Sequence, residues 1–227
     1  MLKTPAYVVV EGVIGVGKTS MVKMLVQRIG GKAVLEEFEE NPFLAEFYQD
    51  MNAYAFQTQL FFLLSRFKQQ ERLLELDLFA EYVLSDYLFA KDRIFACLTL
   101  DDHELTLYDE VHGALARRVA LPDLVIYLQA STDVLMDRIR GRDREMERGM
   151  DRDYIHKLNE AYNYFFFHYT DTPLLVVNTD EVDFVSRRSD FDDLAAEILE
   201  GASGTRYYVP RRGGGGKSPP DDFGDQR

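Results

Sequence analysis

Three sets of residues have the types and spacing for chemistry on a phosphate. The first is Gly12-Val13-Ile14-Gly15-Val16-Gly17-Lys18-Thr19, within "VVVEGVIGVGKTSMVKML" (Val8–Leu25), which fits G-x-x-x-x-G-K-[ST] at every position. Glycines let the backbone turn its N–H groups inward around an anion, where a Cβ would block the approach. Lys18 offers a cation to β- and γ-phosphates, and Thr19 a hydroxyl to Mg²⁺. The pattern implies a bound triphosphate with magnesium, seated at the positive end of the following helix. The second set is Glu36 and Asp86, each directly after an apolar run; a carboxylate there can accept a hydroxyl proton or hold Mg²⁺ through water. The third is Gln59 and Arg66, seven residues apart and so on one face of a helix, where an amide and a guanidinium can read a planar heterocycle. Phe56, Phe62 and Leu63 stand near enough to wall such a site or to pack in the core.

Positioning these groups requires strands that end beside one another. Tyr7–Val10, Ala33–Leu35, Tyr82–Leu84, Asp123–Leu128 and Leu174–Val177 have the length and apolar content of buried strands. Helical patterns alternate with them: a helix after Gly17 closed by Gly30-Gly31, a long tract over Tyr54–Leu78, and others over Asp101–Arg118, Thr132–Arg140, Asp153–His168 and Asp190–Leu199. This alternation predicts an α/β fold with a parallel sheet, whose ligands gather outside the carboxyl ends of the strands. Residues 1–200 read as one domain. From Gly201 onward, "GASGTRYYVPRRGGGGKSPPDDFGDQR" has little to bury and is expected to be mostly disordered. Its "GGGGKS" lacks the first glycine of a phosphate loop, and its "DFG" has no kinase catalytic loop upstream, so both are read as compositional accidents.

The 227 residues, 46% of them hydrophobic, suffice for one well-filled α/β domain. A single cysteine, Cys97, excludes an intramolecular disulfide framework, and with no signal-like N-terminus the chain reads as cytoplasmic. No apolar run approaches the roughly 20 residues needed to span a bilayer. A net charge of −13 disfavours nucleic acid and favours a small substrate. A switch GTPase is not supported, because neither "QAST" after Leu128 nor "NTDE" after Val177 supplies the guanine-reading N-K-x-D.

Taken together, "EGVIGVGKTS", "EEFEENPFLAEFYQD" (Glu36–Asp50), "AFQTQLFFLLSRFKQ" (Ala55–Gln69), "SDYLFAKDRIFA" (Ser85–Ala96), "RIRGRDRE" (Arg138–Glu145) and "NTDEVDF" (Asn178–Phe184) resemble the deoxynucleoside kinases, and the bacterial deoxyguanosine/deoxyadenosine kinase branch most closely. The resemblance implies a doubly wound sheet of five parallel strands with helices on both faces, a homodimer assembled through helices, and transfer of the ATP γ-phosphate to the 5′-hydroxyl of a deoxynucleoside, with a purine as base. It implies further that Glu36 stands beside the 5′-hydroxyl, Tyr48 at the sugar 3′-hydroxyl, Gln59 and Arg66 at the base, and Glu145, or Glu147, at the sugar. Arg138, Arg140 and Arg142 correspond to lid arginines over the phosphates, with Arg144 beside them, and Asp180–Phe184 to the loop flanking the adenine. Where animal members carry Glu-Arg-Ser, this chain has Ser85-Asp86-Tyr87, which gives Asp86 a metal or proton role and leaves open which of Glu36 and Asp86 takes the proton. Lys91 occupies a position where many relatives place an acidic residue that helps choose the base. Two other activities remain: a thymidylate-type nucleoside monophosphate kinase, which shares the loop, the sheet and an arginine lid, and an ATPase or switch acting on a partner protein.

Overall fold

Uninterrupted β-branched runs can be buried on both faces only in a parallel sheet covered by helices. The computed structural model describes residues 2, 6–76, 80–142 and 150–210. Its strands are β1 (Ala6–Gly12), β2 (Lys32–Val34), β3 (Tyr82–Ser85), β4 (Leu124–Gln129), β5 (Leu174–Asn178) and β6 (Thr205–Tyr207). They form one sheet in the order β2-β3-β1-β4-β5-β6, with every neighbouring pair parallel. The helices are α1 (Lys18–Ile29), α2 (Leu44–Gln49), α3 (Met51–Leu76), α4 (Asp92–Thr99), α5 (Asp102–Ala116), α6 (Thr132–Arg142), α7 (Arg152–Phe167) and α8 (Arg188–Glu200). Val8–Val10 of β1 and Leu124–Leu128 of β4 are buried throughout, as such runs require.

The sheet has six strands where the sequence implies five. The additional one, β6, lies in the segment expected to be disordered: Leu174 N donates to Gly204 O at 2.9 Å, and Tyr208 N donates to Val176 O at 2.8 Å. All three β6 side chains are exposed, so no hydrophobic pattern announces this edge strand; backbone pairing with β5 forms it. The tail motifs at Gly213–Ser218 and Asp222–Gly224 lie outside the described residues. Two short helices, α2 and α4, were also not separated by periodicity, each being eight residues or fewer.

The strand order decides where a ligand can sit. After β1 the chain moves outward to β2, returns to β3 beside β1, and then crosses to β4 on the other side of β1. Such a reversal leaves a crevice outside the carboxyl ends of the central strands. The glycine loop follows β1, Glu36 lies just past β2, and Asp86 follows β3, so all three expected groups arrive at that crevice.

A smaller cluster of Leu63, Phe67, Phe89, Ala96 and Tyr108 fills the space between α3, α4 and α5. His112 stacks there between Phe89 and Tyr108, at centroid distances of 5.3 and 6.0 Å, and its Nε2 is buried without a partner among the described residues. Burial lowers its pKa below the ordinary 6.5, outweighing the nearby Asp109. Between the two values the unfolded chain binds the proton and the folded one does not, so stability is full above the ordinary value and falls as pH drops through it. His112→Phe, which keeps the ring and removes the titration, is expected to shrink the stability lost between about pH 7 and pH 5; urea unfolding at both pH values measures this.

Candidate active site

The glycine loop is built against its neighbours. Gly12, Gly15 and Gly17 have φ of +151°, +90° and +108°. A Cβ on Gly12 would strike the Leu128 carbonyl oxygen, and one on Gly15 would lie 2.8 Å from Ile139 Cγ1 on α6. Helix α1 begins straight after Gly17 with no side-chain cap, which leaves its first N–H groups for an anion. Lys18 Nζ curls back to donate to Gly12 O at 2.7 Å and Val13 O at 3.3 Å. Burial first, and the neighbouring Lys91 next, push its pKa down to about 8, against the opposing pull of Glu11, Glu36 and Asp86.

Asp86 joins this loop to the next strand. Its Oδ2 accepts from Thr19 Oγ1 at 2.5 Å and its Oδ1 from the Glu36 backbone N–H at 2.7 Å. The Glu36 side chain meets two cations: Arg66 donates to Oε1 from Nε at 2.8 Å and also from NH2, and Lys91 Nζ donates to Oε2 at 2.9 Å. Burial pushes the Glu36 carboxyl up, but Arg66 and Lys91 outweigh it and hold the group well below the usual carboxylate range. The other edge of Arg66 pairs with Asp92, and its guanidinium lies 4.7 Å from the Phe62 ring centroid. Beneath them Glu11 is fully buried; Oε1 accepts from Gly12 N at 2.9 Å and Tyr162 OH at 3.2 Å, and Oε2 from Leu88 N at 2.7 Å.

A cavity of about 680 Å³ spans the crevice. Thr19, Asp86, Glu36, Arg66 and Phe62 line it in a chain of successive contacts, and Lys18, Tyr48, Gln59 and Lys91 line it with them. Gln59, 3% exposed, brings a polar amide to this lining. The seven-residue spacing therefore does place Gln59 and Arg66 on one wall. Ile14, Gly15, Val16 and Gly17 also face the cavity, whereas Gly12 and Val13 lie beneath it and receive the Lys18 ammonium.

Other expectations need correction. Lys91 lines the cavity and sits on Glu36, because its short turn after β3 ends over the carboxylate. Arg138 reaches the cavity, but its guanidinium is held by Thr179 Oγ1 at 2.8 Å, Thr179 O at 2.9 Å and Val16 O at 3.3 Å. Arg142 lines the rim. Arg140 falls on the outer side of α6, exposed and paired with Asp137 at 3.3 Å, two residues being over half a helical turn from either neighbour. Asp180 accepts from Ser131 N at 3.0 Å and so ties the loops after β4 and β5, while Val182–Ser186 face the cavity. Glu145, Glu147 and Arg144 lie outside the described residues. Sequence reading missed Glu11, Asp92 and Tyr162. Glu11 alone left a trace, as a charge interrupting an apolar strand.

A glycine loop and a carboxylate facing one cavity at the switch point of a parallel sheet define a phosphotransferase for a small molecule. The chain belongs to the deoxynucleoside kinase family, whose model matches residues 8–201. A deoxyguanosine kinase of Bacillus subtilis (strain 168) is 33% identical over 204 residues, covering 88% of this chain and 99% of its own. A deoxyadenosine/deoxycytidine kinase of the same organism is 28% identical over 198 residues, covering 84% and 90%. Among solved structures, deoxyadenosine kinase from M. mycoides with bound dATP superposes with a TM-score of 0.75 at 25% identity, over 85% of this chain and 99% of that one. The chain is thus a deoxynucleoside kinase and not a thymidylate kinase.

Arg66 and Asp92 are 4% and 1% exposed, so removing Asp92 leaves one edge of a buried guanidinium without its partner while Glu36 still holds the other. Asp92→Ala is expected to cost about 1–3 kcal/mol of stability, the penalty of a buried donor left unsatisfied. Arg93→Ala, which breaks the exposed pair with Asp109, should cost at most about 1 kcal/mol. Denaturant unfolding of the two variants makes the comparison.

Proposed function

We propose that this chain transfers the γ-phosphoryl group of ATP to the 5′-hydroxyl of a purine deoxynucleoside, as a step of nucleotide salvage. The observation that carries the reading is that Lys18, Thr19, Glu36 and Gln59 all line one cavity. The purine preference draws on relatives named for deoxyguanosine and deoxyadenosine.

In this reading the loop N–H groups from Gly15 to Thr19 and the Lys18 ammonium hold the β- and γ-phosphates. The Thr19 hydroxyl and the Asp86 carboxylate, set side by side, suit Mg²⁺, which takes one or two protein oxygens and completes its shell with phosphate and water. Bound there, the ion would draw charge from the phosphate oxygens. Asp86 is then committed to the metal side, which leaves Glu36 to receive the hydroxyl proton. Phosphoryl transfer is loose, so the carboxylate has more to do in aligning the hydroxyl than in stripping it, and a low proton affinity is no bar. Gln59 and Arg66 address the base, Tyr48 and Glu145 the sugar, and Arg138 and Arg142 the phosphates. The enzyme is taken to be a cytoplasmic homodimer; among the described residues no helix is long and apolar enough to cross a membrane.

A panel of the four deoxynucleosides with ATP and Mg²⁺, resolved for monophosphate products, tests the reading. Purine deoxynucleosides should be phosphorylated fastest, and monophosphate from none of the four would overturn it. Lys18→Ala should slow turnover on the order of 10²–10³-fold. Gln59→Leu should raise KM for the nucleoside about tenfold, the loss of one buried hydrogen-bonding group, with KM for ATP unchanged.

A further inference from the structure

The two oxygens of Glu36 are not equivalent. Oε1 is occupied by Nε and NH2 of Arg66, which Asp92 pairs with from its far edge. Among the described residues Oε2 accepts only from Lys91, at 2.9 Å. A hydroxyl that approaches this carboxylate therefore meets it at Oε2, beside whatever already rests there. What rests there is an ammonium with three N–H donors. Among the described residues one is spent on Glu36, and the next acceptor, Glu11 Oε2, is 3.8 Å away and beyond hydrogen-bond reach. Glu11 is itself fixed by Gly12 N, Leu88 N and Tyr162 OH, so it has little freedom to close that gap.

Lys91 is 2% exposed, faces the cavity, and lies close enough to Lys18 for the two ammoniums to repel. Lys18 belongs to the donor loop and Lys91 to the acceptor carboxylate. Two like charges lining one cavity favour an anion there, and the group transferred in the proposed reaction is an anion.

We propose that Lys91 is a catalytic residue, the cation that receives the transferred phosphoryl group on the acceptor side as Lys18 holds it on the donor side. The 5′-oxygen bonds to the γ-phosphorus, and the bond from that phosphorus to the β–γ bridging oxygen breaks. Its electron pair stays on the diphosphate, and the hydroxyl proton passes to Glu36 Oε2. Lys91 donates to the equatorial oxygens as they swing from loop to acceptor, and it remains on the phosphate of the product. The assignment rests on the reading of Glu36 as the acceptor-side carboxylate, and it replaces base selection as the role of Lys91.

A cation on the landing site distinguishes product from substrate in binding alone. Calorimetric titration of the full chain with deoxyguanosine and with its 5′-monophosphate, for the parent, Lys91→Gln, Lys91→Met and Glu36→Gln, tests this, with turnover measured alongside. Both lysine variants should bind deoxyguanosine within about twofold of the parent and its monophosphate on the order of 10- to 100-fold more weakly, the loss of one charge-assisted hydrogen bond. Turnover should fall on the order of 10²–10³-fold with KM for ATP little changed. The glutamine keeps a donor to Glu36 without the charge, and so decides the matter if the methionine variant does not fold. Equal losses for nucleoside and monophosphate would make Lys91 structural, and no loss for either would also overturn the proposal. If Glu36→Gln alters neither nucleoside binding nor turnover, the reading of Glu36 fails. If it slows turnover while the lysine variants hold the monophosphate as the parent does, only the assignment of Lys91 falls.

Discussion

Charges removed from water must be paired, and that constraint shapes the crevice more than any other. Glu11, Asp86, Asp92, Arg66 and Lys91 are each under 5% exposed, and they arrive from β1, the ends of β3 and its following turn, α3 and α4. None could be left alone there at a tolerable cost. Their pairing is weak evidence for stability, because hydrophobic side chains of the same volume would serve as well or better. What it supplies is register. The chain must bring five elements to one point within hydrogen-bond tolerance, and that point is where the proposed reaction brings a phosphate and a hydroxyl together.

The glycine loop is subject to a second constraint, close packing. Gly12 leaves no room for a Cβ beside the Leu128 carbonyl, and Gly15 lies against Ile139. Helix α6 is thus in contact with the loop through Ile139, and Arg138, one residue earlier, donates to Val16 O and to Thr179 beyond β5. The root of the arginine-bearing segment is anchored to the loop it serves. Arg142, one turn further along, reaches the rim from that anchored base.

Much of this was legible in the sequence, for identifiable reasons. The glycine loop is local in sequence, eight consecutive residues whose types and spacing announce it, and the strands are local too. Gln59 and Arg66 are related by helical periodicity, so their common wall follows from spacing. The destination of Lys91 does not, since its partner Glu36 lies 55 residues away and the contact depends on which strands become neighbours. Asp92 reads as an ordinary surface charge for the same reason, until Arg66 is placed beside it from α3. Strand β6 was hidden differently: an exposed edge strand buries no side chain, so neither hydrophobicity nor alternation marks it, and only the open edge of β5 calls for it.

Arg66 links two parts of the cavity lining through one rigid group. Its guanidinium lies over Phe62, in the part of the wall assigned to the base, and two of its nitrogens grip the carboxylate assigned to the 5′-hydroxyl. Asp92 holds the remaining edge, so the group has little room to answer a poorly fitting base by moving alone. Under the proposed roles, a base that displaced Arg66 would displace Glu36 with it and carry the attacking oxygen out of line. Binding contacts made at the base are in that way felt at the reacting centre, where misplacement by a fraction of an ångström costs rate rather than affinity. Discrimination between bases would then belong to kcat as much as to KM. A fixed guanidinium shared between base and carboxylate can produce that coupling without a moving part.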